Sequence, residues 1–252
     1  MKSLGRPVYN WRMKTLAFIL SFILLTALSA PLASAQAAPL GGPRIRNRNG
    51  TSSNWSGYAA YGSNNAFSSV SASWTQPTIT CGTSNGYSSY WVGLDGYNTN
   101  TVEQLGTEGD CLYGTASYYA WYEMYPHRSN FVNVAVHAGD NLSASVIYQG
   151  GAKYKLSITD NTTKASFSTI QKMTSGARAS AEVIVEAPYS GGTLPLANFG
   201  TANFTQALAN GSPLGGFANL DPITMQNPAG MKSTPSAFDA SKQNFSVTWS
   251  AQ

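Results

Sequence analysis

Charge is what this sequence has least of. Only 10% of its 252 residues are Asp, Glu, Lys or Arg, against roughly a quarter in an average soluble domain. Histidines number two, His127 and His137, and cysteines two, Cys81 and Cys111. C-x-x-C and H-E-x-x-H are missing, and the one G-x-S-x-G, Gly82-Thr-Ser-Asn-Gly86, is not joined by a histidine with a convincing partner in sequence. That excludes a thioredoxin-type redox pair and a helical zinc-peptidase site, and leaves a serine hydrolase a poor fit. Neither a metal nor a cofactor is expected. Long amphipathic helices are missing too: the only trace of a 3.6-residue period is a weak one at Asn203–Asn210. Past residue 28 there is no second long apolar run, so no later membrane-spanning helix is expected.

The formal charge of +4 conceals an asymmetry. Seven of the fifteen basic residues precede residue 50, and all eleven acids follow it. The stretch 51–252 therefore holds eight bases against eleven acids, a net −3. A basic isoelectric point would suggest a nucleic-acid or anionic-membrane partner, but here it belongs to the leader. No nucleic-acid partner is expected. Eight bases and two histidines spread over this stretch also repel one another only weakly once acids protonate, which suits a protein working in acid.

What is present begins with a leader. Met1–Lys14 is basic, Leu16–Leu28 is apolar, and Ala33-Ser34-Ala35 has the small residues of a cleavage site. That order reads as a secretory signal peptide over 1–35. The apolar run falls short of the ~20 residues that span a bilayer. Residues 36–50, rich in Gly, Pro and Arg, read as a linker or short propeptide. One domain over 51–252 remains, expected to be secreted, extracellular and monomeric, with no membrane attachment after signal cleavage. In an oxidising compartment Cys81 and Cys111 are expected to form a disulfide.

From Asn54 on, short alternating runs are broken by Gly, Asn, Ser and Pro. Val70–Trp74, Tyr87–Leu94, Ser117–Tyr125, Val132–His137, Leu142–Tyr148, Tyr154–Thr159, Ala181–Glu186 and Phe245–Trp249 have the length and β-branched or aromatic content of strands. Their spacing predicts an all-β sandwich or jelly roll. Residues 190–240 read as long loops. Alternate residues of a strand share a face. Tyr119, Trp121, Glu123 and Tyr125 therefore share one, and Glu182, Ile184 and Glu186 another, while Ala181, Val183 and Val185 point into the core.

Four segments, in order, carry a family resemblance: Asn54-Trp-Ser-Gly57; Tyr90-Trp-Val-Gly-Leu-Asp-Gly96 continuing to Val102-Glu-Gln-Leu-Gly106; Ala120-Trp-Tyr-Glu-Met-Tyr-Pro126; and Ala181-Glu-Val-Ile-Val-Glu186. The chain resembles the glutamic peptidases, or eqolisins, and is more similar to their bacterial branch than to the fungal type members. The resemblance implies a two-sheet antiparallel β-sandwich of the concanavalin A-like kind with a concave substrate groove. It also implies a secreted acid endopeptidase acting on a protein or peptide substrate. Gln104 matches the catalytic Gln and Glu186 the catalytic Glu, working through an activated water with no covalent intermediate. Leu105 stands where the fungal pattern has Thr, and Ala187-Pro188 follow Glu186 where the family often has an acid. Trp55, Trp91 and Trp121 either line the groove or pack the core. Asp95 and Glu123 either support the dyad or substrate, or serve as a turn cap and a buried, satisfied acid.

Chemistry favours such a pair in acid. Histidine is protonated there and cannot act as base, whereas a carboxylate near its own pKa can take a proton from water and return it to the leaving amine. A carboxamide N–H can donate to the oxyanion at any pH. Two other readings stand beside this one. A non-catalytic carbohydrate- or peptide-binding sandwich would use the tryptophans as platforms. A glycoside hydrolase would pair Glu186 with Glu123 or Glu182, although the E-x-D-x-x-E strand signature is absent.

Overall fold

The computed structural model describes residues 50–252; the leader and most of the linker lie outside the described residues. Sixteen strands occur among them. In chain order they are β1 (Thr51–Ser52), β2 (Trp55–Tyr61), β3 (Ser69–Thr75), β4 (Ser89–Leu94), β5 (Val102–Leu112) and β6 (Thr115–Tyr125). Next come β7 (Asn130–Val132), β8 (Asn141–Tyr148), β9 (Lys153–Asp160), β10 (Ser166–Lys172) and β11 (Ser180–Glu186). The last are β12 (Thr201–Ala209), β13 (Ser212–Pro213), β14 (Leu220–Asn227), β15 (Gly230–Pro235) and β16 (Phe245–Trp249). A 3-10 turn at Leu214–Gly216 is the one helical element among the described residues.

The strands form a continuous hydrogen-bonded path that divides into two sheets. Sheet A runs β10-β9-β8-β3-β12-β16-β15-β14, and sheet B runs β2-β11-β4-β5-β6-β7, joined through the pairing of β14 with β2. Every pairing along the path is antiparallel. The all-β sandwich expected from the strand spacing is what the chain adopts.

The two sheets are buried differently. In β9 the exposure alternates along Lys153–Asp160, as an antiparallel strand with one wet face should. In β4 and β11 every residue is buried. Val183 and Val185 face the main core with Val92, Leu105, Leu142 and Leu156, each contributing roughly 1.5–3 kcal/mol on full burial. On the opposite face of sheet B a second cluster gathers Trp55, Trp91, Trp121, Ile184 and Ile223. Between the sheets, the Trp74 indole N–H donates to Thr107 Oγ1 at 3.0 Å, and that hydroxyl donates to Gln76 Oε1 at 2.6 Å. This buried chain ties β3 to β5. The Cys81–Cys111 disulfide, Cα to Cα 5.4 Å, forms as expected and ties the segment after β3 to the end of β5.

Three expectations need correction. Residues 190–240 are not long loops, since β12, β13, β14 and β15 fall within them. The weak helical period at Asn203–Asn210 belongs to β12. A bulge between Thr205 and Leu208, with Gln206 at φ 52°, adds one residue to the strand. Buried positions then fall at Ala202, Phe204, Ala207 and Ala209, and the three-residue step imitates a helix. Val132–His137 is inward-facing at Val134 and Val136 as its alternation implies, but only Asn130–Val132 pairs with a neighbour.

Sheet B has room for its tryptophans because glycine lies between them. In register, Ile184 pairs with Trp91, Trp91 with Gly106, and Gly106 with Trp121. A Cβ on Gly106 would lie 2.1 Å from the Tyr90 carbonyl oxygen and 2.6 Å from Trp91 Cβ. Both are strand atoms that cannot rotate away. Gly106→Ala is expected to lower stability by about 3 kcal/mol, the upper end of ordinary overpacking, read as a fall in the chemical-denaturation midpoint. An unchanged midpoint would show that the strands separate at little cost.

Candidate active site

Register places the candidate residues in rows across one face of sheet B. In one row lie Trp55, Glu186, Ser89, Glu108 and Tyr119; four residues along each strand lie Ala59, Glu182, Gly93, Gln104 and Glu123, beyond the tryptophan row. Gln104 and Glu186 thus share one face of one sheet, separated by strand β4. This face carries both sequence-predicted dyad residues, all three tryptophans and Glu123. Asp95 lies just past β4 in a left-handed conformation, φ 70°. Its carboxylate accepts the backbone N–H of Arg178 at 2.6 Å and of Ala179 at 2.8 Å. It makes no hydrogen bond with Gln104 or Glu186.

Each half of the pair is held by named partners. Glu186 Oε2 accepts the Trp91 indole N–H at 2.9 Å, and Oε1 accepts Asn54 Nδ2 at 3.2 Å. Ser52 Oγ donates to Asn54 Oδ1 at 2.8 Å, which turns the asparagine NH₂ toward the glutamate. The Trp55 indole N–H makes no hydrogen bond of ordinary geometry, yet it too favours the charged carboxylate. Trp55 packs edge-on against Trp91, centroids 4.9 Å apart. Gln104 Nε2 donates to Glu123 Oε2 at 2.7 Å, while Gln104 Oε1 has no partner.

Burial governs the electrostatics. Gln104 and Glu186 are both 0% exposed. Burial first, and then the neighbouring Glu123, push the Glu186 carboxyl well above the usual carboxylate range; the indole and asparagine donors pull the other way. Burial lifts Glu123 to about 8, against the Gln104 hydrogen bond. Next to the pair, Ser89 Oγ donates to Glu108 Oε2 at 2.5 Å, and Glu108 sits against Asp110. Burial raises Asp110 to about 7, and the Tyr119 hydroxyl donates to it at 3.3 Å. Two carboxyls so placed cannot both ionise cheaply. On the core side of β5, burial and then Asp95 carry Glu103 to about 9. None of these acids pairs with Lys or Arg among the described residues.

Sequence reasoning overlooked several of these groups. Asn54 was visible only as the first letter of Asn-Trp-Ser-Gly. Glu108 and Asp110 follow Gln104 at even spacing on β5, so the period of two that grouped the β6 residues would have put them on the same face. Ser89 carries no sequence signal of its own.

A β-sandwich with a buried carboxyl and carboxamide on one face, and indoles between them, defines a class of site in which an acid and an amide act together without a histidine. Residues 53–249 match the model of the Peptidase A4 family, and the chain belongs to that family. Scytalidopepsin B from Scytalidium lignicola is 34% identical over 140 residues, which is 53% of this chain and 51% of that protein. The chain thus spans about half the length of this curated relative. Scytalido-glutamic peptidase in complex with a transition-state analog inhibitor superposes with a TM-score of 0.66 at 25% identity, covering 79% of this chain and 98% of that one. The aspergilloglutamic peptidase of Aspergillus niger shares the fold, with a TM-score of 0.56 at 24% identity over 66% of this chain and 99% of that one.

The raised carboxyls imply a pH-dependent stability of definite sign. In the unfolded chain they titrate near 4; folded, Asp110, Glu123 and Glu103 titrate near 7, 8 and 9. Such groups stabilise the fold fully below their unfolded values, and the contribution drains away as pH climbs toward their folded ones. Thermal unfolding is expected to give its highest Tm at or below about pH 4 and a Tm at least about 10 °C lower at pH 8. A Tm that rises from pH 4 to 8 would refute this account of the charge states.

Proposed function

We propose that this protein is a secreted, acid-acting endopeptidase that hydrolyses peptide bonds with Glu186 and Gln104 and forms no covalent intermediate. The observation that carries the reading is their common location: acid and amide on one face of sheet B, with Trp91 and Asn54 donating to the acid and Glu123 accepting from the amide. Membership of the Peptidase A4 family supports the reaction class. The signal-like order of residues 1–35 supports secretion.

In this reading Glu186 in its ionised form removes a proton from water, and the water oxygen bonds to the scissile carbonyl carbon. The carbonyl oxygen becomes an oxyanion, to which a Gln104 N–H donates. Glu186 then passes its proton to the amine nitrogen, the C–N bond breaks, and a carboxylic acid and an amine remain. The Trp91 and Asn54 donors keep the carboxylate available in a setting that otherwise favours the protonated acid. Entry of the attacking water relieves part of the same desolvation. Glu123 positions the Gln104 carboxamide and takes no part in bond making.

Casein digestion across pH 2–7 tests the assignment. Glu186→Gln is expected to lose at least roughly 10³-fold in kcat/KM and Gln104→Ala roughly 10²–10³-fold, the scale for losing an oxyanion donor. Glu123→Gln is expected to keep measurable turnover and to shift the pH profile, as suits a positioning residue. Full activity in Glu186→Gln, a wild-type optimum near pH 8 or loss of activity with EDTA would sink the mechanism. A wild type inert toward casein would point to a binding module, or, if it cleaves a glycan, to a two-carboxylate glycosidase.

A further inference from the structure

Ser52 is the last residue of β1, two before Asn54, and it is buried. β1 pairs in parallel with β14, Ser52 against Met225. Three hydrogen bonds meet at the Ser52 hydroxyl. The backbone N–H of Asn54 donates to Oγ at 3.2 Å, and that of Trp55 at 3.1 Å. Oγ itself donates to Asn54 Oδ1 at 2.8 Å. Strand pairing fixes the two backbone donors: Trp55 is in register with Glu186, and the Asn54 carbonyl accepts the Ala187 N–H at 2.8 Å.

These bonds decide which way round Asn54 sits. A hydroxyl has one proton and two acceptor positions. Backbone N–H groups can only donate, so those of Asn54 and Trp55 take the acceptor positions. The proton is left for the Asn54 side chain, and the atom facing it has to accept. Oδ1 therefore faces Ser52, and the NH₂ faces Glu186 Oε1 at 3.2 Å. A carboxamide beside a carboxyl can pair with it in two senses. Its NH₂ can donate to the carboxylate, or the protonated acid can donate to its oxygen. The second sense stabilises the neutral acid. With Oδ1 turned to Ser52, the first is the sense open to Glu186. The other carboxamide of this face has no such lock, since Gln104 Oε1 is without a partner.

We propose that Ser52 is a positioning residue for Glu186 that acts through Asn54: its hydroxyl locks the carboxamide with the NH₂ toward the acid and bars the reversed pairing that favours the protonated form. The inference deepens, and rests on, the reading of Glu186 as general base. Glu123 on β6 and Glu108 on β5 are the acids that act on Glu186 from neighbouring strands. Both stay in place when Ser52 is changed, so a change in Glu186 is read against a constant background.

Ser52→Ala frees Asn54 to turn over. The acid limb of kcat/KM on casein, which reports ionisation in the free enzyme, is expected to move up by about one pH unit, the scale of one hydrogen bond to a charge. Activity then falls about tenfold on that limb and little above it. A merely structural role would lower activity at every pH instead. In an Asn54→Ala background, Ser52→Ala is expected to move the limb no further, because Ser52 acts through Asn54. The ¹³C resonance of the Glu186 carboxyl, identified by its loss in Glu186→Gln, is expected to titrate at higher pH in Ser52→Ala whatever the activity. A shifted titration with an unmoved limb would uphold the role of Ser52 and count against Glu186 as the base. In the wild type the Asn54 NH₂ protons are expected to keep their Overhauser contact to the Glu186 side chain from pH 3 to 7, which covers a Ser52→Ala that does not fold. Loss of that contact in acid, an unmoved Glu186 titration in Ser52→Ala, or a further shift on adding Ser52→Ala to Asn54→Ala would each overturn the proposal.

Discussion

Everything in sheet B is arranged around acids buried without cations. Glu108, Glu123, Glu182 and Glu186 lie on one face at 1% exposure or less. Isolated ionised carboxylates in such a place would cost far more than a folded domain can spare. The face is therefore held by protons and neutral donors: Ser89 for Glu108, Gln104 for Glu123, and Trp91 with Asn54 for Glu186. A basic side chain at any of these points would settle the charge more cheaply. It would also pin the acid as a permanent carboxylate and remove its capacity to exchange a proton near its own pKa.

The architecture follows from that constraint. Sheet A is an ordinary half-wet antiparallel sheet whose inner residues close the main core. Sheet B is buried on both faces, and its second face has to exclude water while holding acids. Indoles suit that requirement because each combines a large apolar body with one N–H. Trp91 spends its N–H on Glu186 and its ring on Trp55. Gly106 and Gly93 make the space: a Cβ on Gly93 would lie 2.8 Å from the Trp91 ring and 3.2 Å from Gln104 Cβ. The glycines of Tyr-Trp-Val-Gly and Gln-Leu-Gly are thus part of how the site is shaped. On this face their role is room for a neighbour rather than backbone freedom.

The sequence made some of this legible and hid the rest for physical reasons. Period-two alternation correctly separated Tyr119, Trp121 and Glu123 from Tyr118, Ala120 and Met124, because β6 is regular along its length. β2 and β5 escaped because strands buried on both faces lose their alternation: Trp55–Ala60 and Val102–Cys111 are buried throughout. β12 was misread because one extra residue at Gln206 changes its period. The motif letters singled out Gln104, Glu123 and Glu186 as candidates, and the register brings them to one face. Asn54, Ser89 and Asp110 are short polar side chains whose roles depend on which strands become neighbours, and pairing of residues as distant as Asn54 and Glu186 is invisible to a local reading.

The pH dependence expected of the fold is accordingly a property of the whole face and not of one residue. Charge on Glu123 raises the proton affinity of Glu186, and charge on Glu186 raises that of Glu108. Protons leave such a set as a coupled group, each departure making the next more costly. The conditions that keep most of the face neutral are therefore the ones that keep the fold intact. Within that set, N–H donors pull Glu186 back against the burial that raises it. Glu186 has the Trp91 and Asn54 hydrogen bonds and the nearby Trp55 N–H, while Glu123 has Gln104 alone and Glu182 only weak support. In the proposed mechanism it is this donor pattern that sets Glu186 apart from Glu123 and Glu182 as the acid to take a proton from water.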